Sequence, residues 1–377
     1  MKRMLVAADI ATHPCIAGNT QCIMQYVEQL RALGVEVYYL LIGSQELSQE
    51  NIEMTKKYWG NYFFYYPLPL WQQYLMKIYK RLIRQAYPNN VDFYVPFGLI
   101  NYVNSLYKKY DFCGLIVNYI WQSRLADCCI PIKALYTHDI FAYRDERLEA
   151  GKYWHHHSVA QEAKAIRRFQ YVLAIQDVER DYFKILSPHS DVRSLYSSFT
   201  FVSQDIKNNN IILFFSGNGP FNIIGIKHFI KDVFPLLLKK NPKIQLYIGG
   251  NICSVMSSEG LHPNIRLKGC YNNPSDFYQL GDIVINPVYE GTGLKIKTFE
   301  SIAHGKVTIV DPHSSIGIYK SLNAPLIVAS SPEIYVEKIM KYLGNDNLIL
   351  SNKLHCQEYI KSLNKYISSQ YSEIFHL

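Results

Sequence analysis

The sequence lacks the cysteine patterns and long apolar runs that mark disulfide-bonded, zinc-binding and membrane-spanning proteins. Its eight cysteines are scattered and form no CxxC pair, and the adjacent Cys128 and Cys129 have no zinc-ligand spacing around them. Scattered thiols favour a reducing compartment, so we expect a cytoplasmic protein. No uninterrupted apolar stretch reaches the roughly 18 residues of a membrane-spanning helix. Contact with a membrane is therefore expected to be peripheral, at the inner face of the cytoplasmic membrane.

Charge is also sparse, with 39 Lys and Arg residues against 31 Asp and Glu residues. The formal net charge of +8 favours phosphorylated small molecules or an anionic membrane surface, and it is weak for a nucleic-acid-binding protein of 377 residues. We expect no nucleic-acid partner. The first residues, MKRMLVAADI, imitate a signal peptide, but Asp9 interrupts the apolar run, so we predict a first β-strand there.

Apolar and turn-prone segments alternate in two successive βα series. The first series begins with a strand at Met4–Ala8, a helix from about Thr20 to Leu33 and a strand at Val35–Ile42. The second begins with a strand at Ile211–Ser216 and a helix at Gly225–Leu238. Two such series predict an α/β protein with two doubly wound, Rossmann-like domains that face each other across a cleft.

The boundary between the series lies in a polar, turn-prone segment. We predict an N-terminal domain at residues 1–200, a linker at 201–210, a C-terminal domain at 211–345 and a C-terminal helical segment at 346–377. The last helix, from about Asn345 to Phe375, can pack on either domain.

The most informative stretch runs from Asn286 to Val310, where a strand leads through a glycine-bracketed turn into a helix. Gly291 and Gly293 let the backbone approach a ligand closely, and a helix predicted to begin near Leu294 aims its free N–H groups at the turn. This arrangement indicates an anion site.

Charged side chains follow the same turn. Lys295 and Lys297 add positive charge beside it, and the Glu300 carboxylate can accept hydrogen bonds from paired sugar hydroxyls. The stretch therefore predicts a site that holds the phosphates and the ribose of a nucleotide sugar.

The chain resembles GT-B glycosyltransferases of the family 4 type, in the subgroup whose donor motif reads NP…GTGLKIK…E…A.GK. The resemblance covers roughly residues 1–340, in order along the chain. Its motifs are His13-Pro14…Gly18-Asn19, Val117-Asn118-Tyr119, Thr137-His138-Asp139-Ile140-Phe141…Arg144, Ala174-Ile175-Gln176, Gly217–Asn222 and Asn286–Lys306.

The resemblance implies roles for residues at the predicted strand ends. Gly18 and Asn19 would face the donor phosphates or the acceptor, although a plain helix start is the alternative. Gly217, Asn218 and Asn222 would contact the diphosphate with backbone amides, or form a plain turn.

The resemblance also implies a site in the first domain. His138 and Asp139 would lie near the transferred sugar, with the imidazole bonded to a sugar hydroxyl or donating to a phosphate oxygen, or they would form a satisfied turn. Arg144 or Arg147 would clamp phosphate or pair with neighbouring carboxylates.

Two departures from the family pattern concern the donor site. Counting back from Glu300 places Thr292 where the family usually has a first glutamate, and Glu290 stands two residues earlier, so either residue can take that role. The loop Gly217–Asn222 lacks the usual Arg and Lys that hold the diphosphate, and we expect Lys295 to replace them. Leu294 and Thr292 complete the predicted donor-binding turn.

The sequence predicts neither a metal nor a cofactor. Adjacent histidines such as His155-His156-His157 point in different directions, and no Cys or carboxylate at ligand spacing completes a site. The resemblance implies metal-independent transfer, with the nucleoside-diphosphate sugar as donor substrate only.

A predicted helix between Tyr58 and Tyr87 concerns the acceptor. Trp71, Leu75, Ile78 and Leu82 fall on one face, and Lys77, Lys80, Arg81 and Arg84 fall on the other. The pattern is either an ordinary core face or an amphipathic membrane contact that presents the cleft to a lipid-linked acceptor.

The expected activity is transfer of a sugar to a saccharide or lipid-linked oligosaccharide, with retention, in building a bacterial surface polysaccharide or related glycan. The alternatives are a nucleotide-sugar epimerase of the same fold and a non-catalytic donor-binding subunit.

Overall fold

The computed structural model describes residues 2–15, 18–44, 46–83, 90–142, 157–290 and 295–377. These residues form two compact units. The first unit consists of Met1–Ser198 and Tyr366–Leu377, and the second of Phe199–Lys365.

The first unit is built on a parallel seven-stranded sheet in the order β3-β2-β1-β4-β5-β6-β7. Its central strands are buried along almost their whole length, as parallel strands with helices on both faces must be. The strands are β1 (Arg3–Ala8), β2 (Glu36–Ile42), β3 (Phe63–Tyr66), β4 (Gly114–Asn118), β5 (Ile132–Tyr136), β6 (Tyr171–Ala174) and β7 (Asp191–Ser194).

Helices connect these strands. They are Gly18–Ala32, Gln49–Trp59, Leu70–Ile83, Leu99–Tyr110, Val159–Ile166 and Asp177–Leu186, with 3-10 segments at Gly60–Tyr62, Val91–Tyr94 and Ile120–Asp127. Gly34, with φ of 79°, follows the first helix in the left-handed conformation.

The second unit has a parallel six-stranded sheet in the order β10-β9-β8-β11-β12-β13. Its strands are β8 (Ile211–Phe215), β9 (Gln245–Gly249), β10 (Ile265–Gly269), β11 (Ile283–Asn286), β12 (Val307–Val310) and β13 (Leu326–Val328). Its helices are Pro220–His228, Phe234–Lys240, Cys253–Met256, Pro274–Tyr278, Ile296–Ala303 and Pro332–Tyr342, with 3-10 segments at Pro312–Ser315 and Ser321–Asn323.

The helix predicted at Gly225–Leu238 lies within a continuous helical segment, residues 220–240, that contains a π-helical turn. A π-helical turn, Phe229–Val233, separates Pro220–His228 from Phe234–Lys240. Pro235 explains the break, because it has no N–H to donate to the preceding turn.

The final helix, Asp346–Phe375, is 30 residues long. Its residues up to Lys365 belong to the second unit, and those from Tyr366 onward belong to the first. Within the ranges that the structure describes, no helix is long and apolar enough to cross a membrane.

Candidate functional site

Three side chains of the second unit meet at the carboxyl ends of β8 and β11. Lys297 lies on the helix Ile296–Ala303, and its Nζ atom bonds to Glu300 Oε2 at 2.7 Å. The same Nζ atom lies 4.5 Å from the ring centroid of Phe215, the last residue of β8. Carboxyl ends of strands are where doubly wound sheets bind ligands, so these contacts place Lys297 and Glu300 at the expected edge.

Glu300 is held in one orientation by a second donor. The Tyr278 hydroxyl also donates to Glu300 Oε2, at 3.0 Å. Burial raises the pKa of Tyr278 well above its usual range, so the phenol stays protonated and keeps donating. Both bonds use Oε2, and Oε1 accepts no hydrogen bond from the residues that the structure describes. Glu300 therefore keeps one carboxylate oxygen, Oε1, as an acceptor that no described residue uses.

Lys295 occupies the position just before the helix Ile296–Ala303. Its Nζ atom lies 3.2 Å from Nε2 of His313, in the segment that follows β12. Burial lowers the pKa of Lys295. The helix begins at Ile296, two residues later than the sequence predicts, and this short offset leaves Lys295 beside the first free N–H groups.

The loop after β8 is shaped by bonds within itself. The Asn222 side chain donates to the Gly217 carbonyl at 3.2 Å, and the Asn222 amide donates to the Gly219 carbonyl at 3.0 Å. Gly217 and Asn218 are exposed at the tip. Asn222 thus fixes the loop, while residues 217 and 218 remain exposed.

Two glycines that the sequence analysis did not select shape this edge. A Cβ atom on Gly250, whose φ is 94°, would lie 2.2 Å from the Ser216 carbonyl oxygen. A Cβ atom on Gly225 would lie 2.8 Å from the Pro287 carbonyl oxygen. Both positions therefore require glycine to bring the ends of neighbouring elements together. A glycine just after a strand, such as Gly250, or within a helix, such as Gly225, is the sequence signal that could have identified these two positions.

His138 in the first unit has a defined hydrogen-bonding state. Its backbone is left-handed, with φ of 66°, and its ring stacks on Tyr119 at 4.3 Å between centroids. Its Nε2 atom lies 2.8 Å from Asn118 Oδ1. The Asn118 side chain also donates to the Ala7 carbonyl at 3.0 Å, which orients Oδ1 as the acceptor. Nε2 therefore carries the proton.

Burial lowers the pKa of His138 to about 3, so the ring is neutral at physiological pH. The Nε2–H group of His138 donates to Asn118 Oδ1, and Nδ1 remains as a hydrogen-bond acceptor. This state favours a bond from a sugar hydroxyl over donation to a phosphate oxygen.

Asp139 adjoins two buried carboxyl groups that the sequence analysis missed. Asp139 Oδ1 accepts the Ile140 amide at 2.8 Å. Burial, and then the nearby Asp139 charge, raises the pKa of Glu179 to about 8. Burial also raises the pKa of Glu162 to about 7, although the Phe141 amide donates to it at 2.8 Å. Glutamate is common in helices, so the sequence alone does not identify Glu162 and Glu179 as part of this cluster.

The helix Gly18–Ala32 begins at Gly18, and Asn19 Oδ1 accepts the Thr20 amide at 2.8 Å. Asn19 therefore stabilises the helix start. Gly18 is exposed, and no atom of the described residues lies within 4 Å of the position that its Cβ would take.

Several predicted residues lie outside the described residues. They are Arg84, Arg144, Arg147, His155, His156, Gly291, Thr292, Gly293 and Leu294. Glu290, the last described residue before Gly291, is exposed. His157 is buried, and its ring lies near those of Tyr94 and Trp121.

The helix Leu70–Ile83 exposes several apolar side chains. We call the group Leu70, Trp71, Tyr74, Leu75, Ile78 and Phe97 the apolar patch, and each member has at least half of its side chain accessible. Gln72 is buried instead, where it donates to the Val95 carbonyl at 2.9 Å and accepts the Phe97 amide at 2.7 Å. The alternative of an ordinary core face is therefore wrong for Trp71, Leu75 and Ile78.

The first comparison with known proteins concerns the second unit. A family model described as glycosyl transferases group 1 matches residues 209–345. That match covers 137 of the 377 residues of the chain. An uncharacterized 44.6 kDa protein in the cps region of Klebsiella pneumoniae is 27% identical over 159 residues. This match spans 39% of the chain and 40% of the relative.

Solved structures resemble the chain over nearly its full length. TarM, solved from S. aureus, has a TM-score of 0.69 at 12% identity, covering 100% of this chain and 99% of TarM. Anabaena HepE in complex with UDP has a TM-score of 0.63 at 12% identity, covering 99% and 100%. The pneumococcal O-GlcNAc transferase GtfA, with UDP and GlcNAc, has a TM-score of 0.63 at 11% identity, covering 100% and 98%. The protein has the GT-B fold of these glycosyltransferases.

Proposed function

We propose that the protein is a glycosyltransferase that moves a sugar from a nucleoside-diphosphate sugar to a saccharide acceptor. The observation that carries this proposal is the orientation of Glu300. Tyr278 and Lys297 hold its Oε2 atom and leave Oε1 at the carboxyl edge of the second sheet. A carboxylate held in this way can accept bonds from the hydroxyls of a ribose.

The diphosphate is proposed to bind beside the start of the helix Ile296–Ala303. The free N–H groups of a helix start favour an anion, and Lys295 and Lys297 add positive charge at that place. These groups stabilise the negative charge that develops on the leaving diphosphate, so the reaction is proposed to need no bound metal or cofactor.

His138 is proposed to contact the transferred sugar. Its neutral ring offers Nδ1 as an acceptor for a sugar hydroxyl, which orients the sugar without placing a charge next to it. Transfer is proposed to retain the anomeric configuration and to serve synthesis of a surface polysaccharide. The relative from the cps region of Klebsiella pneumoniae supports that setting.

The donor is proposed to carry uridine diphosphate. Solved structures of TarM, HepE and GtfA each contain UDP, and each resembles this chain over nearly its full length. The acceptor is proposed to be a saccharide or a lipid-linked oligosaccharide.

The test is binding and turnover in a Glu300→Ala variant. Calorimetry should show UDP binding to the wild type and a loss of about tenfold or more in the variant, because a bond to a charged group contributes about 1.5–3 kcal/mol. Release of UDP should require an acceptor. Wild-type affinity and turnover in Glu300→Ala would contradict the assignment, and conversion of the donor without acceptor would favour an epimerase.

We also propose that the apolar patch docks on an anionic membrane, next to a lipid-linked acceptor. Exposed fractions of 52% for Trp71 and 53% for Ile78 are high for such large apolar side chains. The helix that carries them also contains Lys77, Lys80 and Arg81, which suit an anionic surface.

The membrane proposal is tested by cosedimentation with phosphatidylcholine vesicles, with and without phosphatidylserine. Trp71→Ser with Leu75→Ser should abolish binding and leave UDP binding unchanged. Leu322→Ser is the matched control, because Leu322 is 99% exposed but lies outside the patch. Equal binding by the double variant and the control would contradict this proposal.

A further inference from the structure

His304 connects the helix that carries Glu300 to the helix that carries Tyr278. It directly follows the helix Ile296–Ala303 and is buried, with only 7% of the residue exposed. Its ring stacks on the ring of Tyr278, with 4.4 Å between centroids and an interplanar angle of 24°. His304 therefore packs on the phenol that donates to Glu300.

Both ring nitrogens of His304 have partners. Nδ1 lies 2.7 Å from the Glu300 carbonyl oxygen, and Nε2 lies 2.9 Å from Ser275 Oγ. A carbonyl oxygen can only accept a hydrogen bond, so Nδ1 carries the proton and Nε2 accepts from the Ser275 hydroxyl. Burial lowers the pKa of His304, which favours this neutral form of the ring. The ring is therefore held in one tautomer and one orientation.

Ser275 is itself fixed in the first turn of the helix Pro274–Tyr278. Its amide donates to Asn273 Oδ1 at 3.1 Å, and its carbonyl accepts from the Gln204 side chain at 2.9 Å. The bond from Ser275 to His304 Nε2 therefore starts from a residue whose own position is set.

The bond between Tyr278 and Glu300 depends on how their two helices are placed. The helix Pro274–Tyr278 has only five residues, so it depends on contacts with neighbouring elements. His304 provides such contacts, because its ring bonds to the backbone of Glu300 on one side and to Ser275 on the other. A carboxylate stays in a productive orientation only when the residues that support it are locked in turn.

We propose that His304 is a positioning residue for recognition of the ribose. It keeps the Tyr278 phenol directed at Glu300 Oε2, and this leaves Oε1 for the ribose hydroxyls. The role requires no contact between His304 and the ligand. This inference rests on the proposed function, in which Glu300 binds the ribose of UDP.

The test compares UDP with 2′,3′-dideoxyuridine diphosphate, which lacks both ribose hydroxyls, by calorimetry on the full chain. The wild type should bind UDP about tenfold or more tightly, because the dideoxy compound cannot donate to the carboxylate. His304→Ala should weaken UDP binding about fivefold and change the affinity for the dideoxy compound by less than about twofold. The ratio of the two affinities is the readout, since a loss of stability alone would affect both compounds equally.

More conservative variants separate the contacts of His304. His304→Phe keeps a ring against Tyr278 but has no ring nitrogens, so it should retain part of the ratio. Ser275→Ala removes only the partner of Nε2 and should lower the ratio less than His304→Ala does. Adding His304→Ala to Tyr278→Phe should lower the ratio little further, because both changes act on the same bond to Glu300.

His262→Ala is the matched control. His262 also belongs to the second unit, and its Nδ1 atom accepts the Asn264 amide at 3.1 Å. It precedes β10, at the edge of the sheet opposite to the carboxyl ends, so this variant should keep the wild-type ratio.

The outcomes distinguish this inference from the proposed function. An unchanged ratio in His304→Ala would overturn the inference alone. If His304→Ala does not fold, an unchanged ratio in both His304→Phe and Ser275→Ala would do the same. A wild type that binds neither nucleotide, or binds both equally, would instead overturn the proposed role of Glu300 and this inference with it.

Discussion

Lys297 and Glu300 form an ion pair of 2.7 Å on the first turns of one short helix, and Tyr278 donates to the same carboxylate oxygen. The side chains of the pair are 37% and 18% exposed, so solvent screens the lysine more than the carboxylate. Surface pairs of this kind contribute little to stability, typically about 0–1 kcal/mol. The main consequence of the Lys297–Glu300 ion pair is that it sets the direction in which Glu300 Oε1 points.

Lys297→Met should therefore weaken UDP binding more than it weakens the fold. We expect a loss of about three- to tenfold in affinity and a change of less than about 1 kcal/mol in the free energy of unfolding. Calorimetry and thermal unfolding measure the two quantities. Lys338→Met, which removes an exposed pair with Glu337, is the control and should change neither much. An unfolding loss without an affinity loss would contradict the orienting role.

His138 should show no ring titration near neutral pH. Its folded pKa, about 3, lies below the value of about 6.5 for an unperturbed histidine, because burial disfavours the charged ring. The buried His138 ring therefore lowers the free energy of unfolding as the pH falls below about 6.5. This loss grows until the ring is also protonated in the folded protein. NMR of the ring between pH 5 and pH 8 should show constant shifts, with the urea-unfolded chain as the titrating control. A midpoint above pH 5 in the folded protein would contradict the assigned state.

The sequence pattern predicts most of the fold for a specific reason. Buried parallel strands such as β1, β4 and β11 must be continuous apolar runs, and the connections between them carry glycine and polar residues at their ends. These signals are local, so they identify the two sheets and the helices between them. The π-turn at Phe229–Val233 was missed because it depends on how Pro235 disrupts bonding within an otherwise helical pattern.

The candidate site is only partly visible in the sequence. Lys297 and Glu300 follow a recognisable motif, and the structure brings them together. Tyr278 and Phe215 complete that group from other elements, and nothing local marks them. The same limit applies to Glu179, whose raised pKa comes from burial and from the Asp139 charge. Long-range packing of this kind leaves no periodic pattern.

Gly250→Ala should destabilise the second unit strongly. The added Cβ atom would overlap the Ser216 carbonyl oxygen at 2.2 Å, and φ of 94° disfavours any residue with a side chain. We expect a loss of about 2 kcal/mol or more in unfolding free energy. Gly260→Ala is the control, because no atom in the part of the chain that the structure describes lies within 4 Å of its Cβ position. Equal stability of the two variants in urea unfolding would show that the β8–β9 edge relaxes freely.

Glu179→Gln should remove part of the pH dependence of stability. The folded pKa of Glu179 is about 8 against an ordinary value of 4.5, because burial and the Asp139 charge favour the protonated form. Between these two values the unfolded chain has released a proton that the folded chain still holds, so the wild type loses stability as pH rises from about 4.5 to 8. Each unit of pKa difference corresponds to about 1.4 kcal/mol, so the total effect is a few kcal/mol.

The Glu179→Gln variant keeps the shape of the side chain and the acceptor for Gln176, which donates to Glu179 at 3.2 Å. Urea unfolding at pH 5 and pH 8 should therefore give a smaller difference in the variant than in the wild type. The exposed Glu358→Gln should keep the wild-type difference, and a Glu179→Gln variant that does the same would show that this carboxyl is ionised in the folded protein.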